Sequence, residues 1–203
     1  MKLIIGLGNP GAEYVGTRHN LGWAAVDNLA KQYGAKWNKK SKFSAEIAEI
    51  TVEDEKVLLA KPQTFYNLSG ETAQKIKQFY NLDNSDILVI HDEMDLPVGL
   101  VRVRRGGMAA GNNGIESLIT QLGPDFARIR IGSGLSSPVH DGLAKPSANQ
   151  RDHVLSRPST DEADILKNFA PVIAQVAADF IKGNLRETTY SQFTHSDNLS
   201  IAG

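Results

Sequence analysis

The chain has 203 residues, with 22 Lys and Arg against 23 Asp and Glu, so its formal net charge is −1 at pH 7. A nearly neutral chain does not bind nucleic acid over its whole surface, so any such binding must use a local basic patch. The absence of cysteine excludes disulfides, thiol catalysis and cysteine-based zinc sites. No apolar run approaches the ~20 residues of a membrane span, and the apolar start is too short for a signal peptide. We therefore expect a cytoplasmic protein without a membrane segment.

Predicted strands and helices alternate in the first half of the chain. The apolar run Lys2–Leu7 predicts a buried strand, and apolar residues at helical spacing predict a helix over Leu21–Tyr33. Residues Ser44–Val52 and Lys56–Ala60 flank an acidic turn and predict a hairpin. The next helix is predicted over Ser69–Tyr80, with the serine as its cap.

The alternation continues in the second half. Four consecutive apolar residues, Ile87–Ile90, predict a strand that is covered on both faces. Residues Leu100–Arg105 and Ala127–Ile131 alternate apolar residues with arginines and predict strands with one polar face. A short helix is predicted between them, over Ile115–Leu122.

The last third of the chain begins with a segment rich in Ser, Pro and Gly, residues 133–150, which predicts a surface lid or long loop. A capping-box pattern from Ser159 to Glu162 then begins one long amphipathic helix that is predicted to reach Phe180. Residues 194–203 are predicted to form a flexible tail. The alternation predicts a single-domain α/β fold over residues 1–193, a three-layer sandwich in which helices flank a twisted, mixed sheet.

The glycine pattern Gly6–Gly11 follows the first strand and fits G-x-G-x-x-G. One interpretation is a dinucleotide site of an oxidoreductase, which requires a helix to begin at the glycines. The periodic helix begins only near Asn20, and Pro10 removes one N–H from the turn. The alternative is that the turn presents Asn9 at the carboxyl end of a strand, where open α/β sheets place their sites.

A histidine and a group of carboxylates are the candidates for acid–base chemistry. His19 stands just before a helix, for which Asn20 is the predicted N-cap. The segment His91–Asp95 holds three carboxylates, which could bind Mg²⁺ or could orient a histidine. In an extended stretch His91 and Asp92 point to opposite faces. We interpret Asp92 as the partner of a histidine and Glu93 and Asp95 as turn residues, so that no metal site is predicted.

Two further asparagines stand in glycine-bounded turns before predicted helices. They are Asn67, in Thr64–Gly70, and Asn113, at the end of the glycine- and alanine-rich loop Gly106–Gly114. Turn structure alone is one explanation for both residues. The other is function, because an amide beside a reactive histidine is both a donor and an acceptor for a carbonyl or a water.

Together these segments resemble the bacterial peptidyl-tRNA hydrolase family. The motifs that carry the resemblance stand in the family's order and spacing: Gly6-Leu-Gly-Asn-Pro-Gly, Tyr14 before Thr-Arg-His-Asn, Lys61-Pro-Gln-Thr-Phe and Asn-Leu-Ser-Gly, His91-Asp-Glu-Met-Asp-Leu, Asn112-Asn-Gly, and Arg128-Ile-Arg-Ile-Gly. The resemblance implies a cytoplasmic, monomeric esterase that hydrolyses the bond between a peptide and the 3′ ribose of tRNA. It implies no metal and no cofactor.

The resemblance also assigns roles to residues. It makes His19 the base that activates water, Asp92 its orienting carboxylate, and Asn9 a catalytic amide. Substrate contacts fall to Tyr14, Tyr66, Asn67 and Asn113. Arg104 and Arg130 match positions that hold phosphates of the acceptor stem, and Arg102, Arg105 and Arg128 stand nearby. A solvated strand face is the other explanation for these arginines.

The chain departs from the family pattern at three places. Asn112 stands where the family usually has histidine, Tyr66 where methionine is common, and Met108-Ala109-Ala110 replaces part of a more glycine-rich loop. A non-catalytic RNA-binding member of the same fold is therefore an alternative to the esterase.

Overall fold

The computed structural model describes residues 1–134, 150–192 and 201–202. Nine strands in this part of the chain form one sheet, in the spatial order β2-β3-β4-β1-β5-β7-β6-β8-β9. The strands are β1 (Lys2–Gly6), β2 (Asn38–Lys40), β3 (Ala45–Val52), β4 (Glu55–Pro62), β5 (Ile87–Pro97), β6 (Leu100–Arg105), β7 (Ala127–Gly134), β8 (Thr188–Ser191) and β9 (Ile201–Ala202). Strand β1 runs parallel to β4 and β5, and β5 parallel to β7, whereas the outer pairs are antiparallel. The prediction of a mixed sheet is confirmed.

Helices cover both faces of the sheet. They are α1 (Leu21–Gln32), α2 (Ser69–Tyr80), α3 (Asn113–Leu122), α4 (Gln150–Leu155), α5 (Thr160–Asn168) and α6 (Ala170–Ile181). Residues such as Val26 and Val176 bury α1 and α6 against one face of the sheet. On the other face, Ile76 and Leu118 bury α2 and α3. The three-layer α/β sandwich is therefore confirmed. No helix of the described residues is both long and apolar enough to cross a membrane.

The predicted long C-terminal helix is wrong in one respect. The capping box of Ser159 and Glu162 is present at its start, but the helix breaks at Phe169 into α5 and α6. Pro171 lies in the first turn of α6, where a missing N–H costs nothing, whereas inside a continuous helix it would remove a hydrogen bond.

Two predicted helix caps act differently in the structure. Ser69 is the first residue of α2 and is fully buried, and the N-cap position is held by Leu68. Asn20 does occupy the N-cap position of α1, but its side chain makes no cap hydrogen bond. Both side chains are buried among residues from other parts of the chain, which local capping rules do not take into account.

Strand β5 extends through the acidic segment, so the interpretation of Glu93 and Asp95 as turn residues is wrong. The apolar run stops at Ile90, but pairing with β7 continues to Glu93. Glu93 is 4% exposed, and its carboxylate is paired with the guanidinium of Arg130 at 2.8 Å. This partner on β7 allows a carboxylate to remain inside a buried strand.

Close packing explains the glycine turn after β1. A Cβ atom added to Gly6 would lie 2.3 Å from the carbonyl oxygen of Gly22, and one added to Gly8 would lie 2.6 Å from the ring of Trp23. These glycines therefore let the first turn of α1 lie directly on the end of β1. Since α1 begins only at Leu21, no α-helix N-terminus is presented to a pyrophosphate at the glycines, as a dinucleotide site requires.

Two predictions fall largely outside the described residues. The predicted lid over residues 133–150 is described only at its ends, in β7 and α4. Of the predicted tail, residues 194–203, the described part is Ile201–Ala202, which pairs antiparallel with β8.

Candidate active site

A cleft of about 650 Å³ opens at the carboxyl ends of β1 and β5, the edge at which α/β sheets place their sites. Seven of the residues predicted to act in catalysis or substrate binding line it: Asn9, Tyr14, His19, Tyr66, Asn67, Asp92 and Asn113. They come from the loops between β1 and α1 and between β4 and α2, from β5 itself, and from the first residue of α3. The fold thus brings together positions that are far apart in the sequence.

His19 and Asp92 form a hydrogen-bonded pair at the floor of the cleft. The imidazole Nδ1 lies 3.0 and 2.9 Å from the two carboxylate oxygens. The carboxylate is 1% exposed and the imidazole 19%. Because an ionised carboxylate only accepts hydrogen bonds, Nδ1 carries the proton and Nε2 remains as the basic nitrogen. This is the geometry of a histidine base oriented by a carboxylate.

Tyr66 contacts both members of the His19–Asp92 pair. Its ring stacks on the imidazole of His19, with centroids 3.8 Å apart and planes 8° from parallel. Its hydroxyl donates to Oδ1 of Asp92 at 2.6 Å. Burial, followed by the charge of Asp92, raises the pKa of Tyr66 well above its ordinary value, so the phenol is neutral and remains a donor.

Asn9 is fixed on both its backbone and its side chain. Its backbone N–H donates to Oδ1 of Asn20 at 2.9 Å, and its carbonyl accepts from Nδ2 of Asn20 at 3.1 Å. Its own Oδ1 accepts the backbone N–H of Tyr66 at 2.8 Å. With the oxygen occupied in this way, the group that Asn9 can offer to a substrate is its amide N–H₂. The sequence does not predict that Asn20 orients Asn9, because an asparagine just before a helix indicates a cap.

Asn112, which the sequence marked only as a departure from the family pattern, lies inside the site. Its Oδ1 accepts the backbone N–H groups of Gly114 and Ile115, both at 3.1 Å, and so caps α3. Its Nδ2 donates to the hydroxyl of Tyr66 and to the backbone carbonyl of Asp92, both at 3.1 Å. An asparagine just before a predicted helix is a signal for the cap, but not for the contact with Tyr66.

His91 lies behind the cleft and is buried. Its Nδ1 lies 2.8 Å from the backbone carbonyl of Asp92, and since a carbonyl only accepts, this nitrogen is the donor. Burial lowers the pKa of His91 to about 4, so the ring is neutral at pH 7. His91 does not line the cleft and therefore serves the structure around Asp92.

The arginines form a separate feature outside the cleft. The register of β6 and β7 places Arg102 opposite Arg130 and Arg104 opposite Arg128, so all four side chains belong to one face of the sheet, which we call the basic face. Arg130 is paired with Glu93, and Arg104 donates to the carbonyls of Val103 and Thr188. Arg105 follows Arg104 directly in β6, so its side chain belongs to the opposite face of the sheet.

Arg128 is more buried than its alternating pattern predicts. Its guanidinium donates to the carbonyls of Gly107 at 2.7 Å and Met108 at 2.9 Å. Burial, followed by the charge of Arg130, lowers the pKa of Arg128 to about 10. Arg128 therefore holds the loop before α3, and the exposed part of the basic face is made by the other three residues.

The chain is similar to known proteins over most of its length. A model of the family described as "Peptidyl-tRNA hydrolase" matches residues 3–200. The peptidyl-tRNA hydrolase of Clostridium beijerinckii is 41% identical over 194 residues, which are 95% of each chain. That of Halalkalibacterium halodurans is 43% identical over 183 residues, 90% of this chain and 94% of the relative.

Solved structures agree with the sequence relatives. The crystal structure of peptidyl-tRNA hydrolase from Acinetobacter baumannii superposes with a TM-score of 0.81 at 32% identity, over 90% of this chain and 89% of that chain. The resemblance inferred from the motifs is thus confirmed, both in sequence and in fold. The chain belongs to the peptidyl-tRNA hydrolase family.

Proposed function

We propose that this chain is an esterase that hydrolyses the bond between a peptide and the 3′ ribose of tRNA in peptidyl-tRNA. The observation that carries the proposal is the pairing of His19 with Asp92 on the floor of an open cleft. An ester needs no covalent nucleophile when a positioned base delivers water to its carbonyl carbon. Family membership supplies the substrate class.

In the proposed mechanism His19 acts first as a base and then as an acid. Its Nε2 takes a proton from water as the water oxygen attacks the ester carbonyl carbon, and Asp92 stabilises the resulting imidazolium. The tetrahedral intermediate carries a negative oxygen, for which the amide N–H₂ of Asn9 is a suitable donor. When the bond from carbon to the ribose oxygen breaks, the imidazolium returns its proton to that oxygen. The products are a free peptide acid and tRNA.

Other residues of the cleft would hold the peptide. We assign Tyr14, Asn67 and Asn113 to contacts with the peptide and the attacking water, since all three line the cleft with His19. The ring of Tyr66 forms part of the same wall. Phe65 is 57% exposed beside it and offers an apolar surface for a peptide side chain.

The basic face would hold the tRNA. Arg104 and Arg130 are assigned to phosphates of the acceptor stem, with Arg102 between them on the same face of the sheet. Because Arg130 is already paired with Glu93, Arg104 carries more of this role. We infer a monomeric enzyme that needs no metal or cofactor, since one chain supplies His19, Asp92 and the amides of the cleft. A cytoplasmic location is inferred from membership of the family.

The non-catalytic alternative rested on Asn112. In the structure this residue caps α3 and donates to Tyr66 and Asp92, so the departure leaves the His19–Asp92 pair assembled. The geometry therefore favours the enzyme over an RNA-binding module.

Release of an N-blocked amino acid from tRNA by the purified protein tests the proposal. We expect multiple turnovers, and loss of them in His19→Ala while binding of the tRNA persists. Binding without turnover in the unaltered protein would instead support the RNA-binding alternative. The variant Lys31→Ala changes an exposed side chain of α1 and serves as a control for protein preparation and folding.

A further inference from the structure

The side chains of Tyr66 and Asn112, both departures from the family pattern, are in direct contact with each other and with Asp92. Nδ2 of Asn112 lies 3.1 Å from the hydroxyl of Tyr66, and that hydroxyl lies 2.6 Å from Oδ1 of Asp92. Tyr66 is 4% exposed, so water does not compete for these bonds. We propose that Tyr66 and Asn112 act as one positioning unit that sets the orientation of His19 through Asp92.

The direction of every hydrogen bond in this chain of contacts is fixed. Oδ1 of Asn112 accepts the N–H groups of Gly114 and Ile115 at the start of α3, so the amide cannot be flipped and Nδ2 must face Tyr66. This N–H occupies a lone pair of the tyrosine oxygen. The hydroxyl proton is therefore left for the carboxylate of Asp92.

The same unit fixes the imidazole in two ways. The ring of Tyr66 stacks on His19 at a centroid distance of 3.8 Å, which restricts rotation of the imidazole plane. The Tyr66 hydroxyl also shares the negative charge of Asp92 with the Nδ1–H of His19. Asp92 is thereby held between two donors, so the position of the Nδ1–H of His19 depends on the Tyr66 hydroxyl as well as on the carboxylate.

The remaining charged and titratable groups around His19 lie outside this positioning unit. Glu93 and Asp95 of β5 and Tyr14 line the same cleft, and the guanidinium of Arg18 is paired with Glu162 of α5 at 2.8 Å. The neutral ring of His91 lies behind Asp92. All of them remain in place when the hydroxyl of Tyr66 alone is removed.

Two conservative variants test the inference, which rests on the proposed function. Tyr66→Phe keeps the stacked ring and removes the hydroxyl. Asn112→Ser keeps an oxygen to cap α3 and removes the amide donor. We expect Tyr66→Phe to lower kcat about tenfold or more with KM within twofold. The control variant Tyr33→Phe, at the exposed end of α1, should change neither kcat nor KM.

A double-variant comparison tests more sharply whether Tyr66 and Asn112 act together. If Asn112 acts through the hydroxyl of Tyr66, the effect of Asn112→Ser on kcat should fall below twofold in the Tyr66→Phe background. Independent, multiplying effects would contradict a single unit. An unchanged kcat in Tyr66→Phe would overturn the inference altogether.

A measurement that needs no substrate separates this inference from the proposed function. The Nδ1–H proton of His19 can be observed by NMR at one pH in the unaltered protein and in Tyr66→Phe. We expect this proton to exchange faster with water in the variant, because Asp92 is held less firmly, even if no peptidyl-tRNA is hydrolysed. An unchanged exchange rate would contradict the role of Tyr66, whatever the activity of the enzyme.

Discussion

The backbone of Asn9 is held at both its N–H and its carbonyl by the side-chain amide of Asn20, at 2.9 and 3.1 Å. Both residues are buried. This pair joins the glycine turn after β1 to the first turn of α1, and so places Asn9 beside Tyr66 and His19 in the cleft. The amide of Asn20 can bond to both backbone groups of Asn9 because its Oδ1 accepts the N–H and its Nδ2 donates to the carbonyl.

Replacement of Asn20 should therefore affect both stability and catalysis. Asn20→Ala leaves the buried N–H and carbonyl of Asn9 without partners, at a cost of about 1–3 kcal/mol for each group. We expect the midpoint of urea denaturation to fall and kcat to fall with it, because Asn9 is no longer oriented. Asn28→Ala, on the exposed side of α1, is the matched control and should change neither the urea midpoint nor kcat appreciably. Equal stability of the two variants would contradict the assigned role of Asn20.

The arginines of the basic face should contribute to tRNA affinity and not to the chemical step. Arg104→Ala is expected to raise KM for full-length tRNA substrates and to reduce the slope of log K against log [salt] by about 0.7–0.9, one phosphate's worth. It should leave kcat unchanged on a short substrate without the acceptor stem. Loss of activity on the short substrate would show that Arg104 supports the fold or the chemistry instead.

Arg130 should behave differently from Arg104 because of its ion pair. Arg130→Ala leaves the buried carboxylate of Glu93 uncompensated, so we expect a loss of stability in addition to any loss of tRNA affinity. The double variant Arg130→Ala/Glu93→Gln removes the unpaired charge and should recover part of the thermal stability. No recovery would contradict a role for the pair in keeping Glu93 within β5.

Buried His91 should make the fold sensitive to acid. Its pKa is lowered by burial to about 4, while in the unfolded chain it is about 6.5. As the pH falls from 6.5 towards 4, the unfolded chain takes up a proton that the folded chain does not, so stability is lost in this window. The loss is about 3 kcal/mol in total. His91→Asn should unfold with a smaller difference between pH 7 and pH 4.5 in urea titrations; an unchanged difference would contradict the assignment.

The acidic segment of β5 should not bind a catalytic metal. Asp92 accepts hydrogen bonds from His19 and Tyr66, and Glu93 is paired with Arg130, so their charges are already compensated. We expect a chelator to leave turnover of a short substrate unchanged; a short substrate is needed because tRNA itself folds with Mg²⁺. Loss of activity that Mg²⁺ or Zn²⁺ restores would contradict this mechanism.

Most residues of the cleft are predicted through the resemblance to the peptidyl-tRNA hydrolase family, which assigns their roles motif by motif. For Asn9, its place after a predicted strand also indicates a site, because open α/β sheets place their sites at the carboxyl ends of strands. The helix break at Phe169 is not predicted because the apolar period continues across it, and Pro171 is its one signal in the sequence. The strand position of Glu93 is not predicted because its partner, Arg130, belongs to another strand.

The contacts that orient the site could not be predicted in this way. Asn20 and Asn112 both stand before helices, and local rules give each the same role as a cap. In the structure only Asn112 caps, while the amide of Asn20 bonds to Asn9. The choice depends on side chains that the fold brings near, such as Tyr66, and these belong to distant segments of the chain.

The most direct test of the account is the turnover of N-blocked aminoacyl-tRNA by His19→Ala, measured together with the affinity of the variant for tRNA. The account predicts a fall in kcat of about 10²–10⁴-fold, the usual contribution of a general base, and an affinity within a few-fold of the unaltered protein. A fall of less than about tenfold in kcat would contradict the role of His19 as the base that activates water.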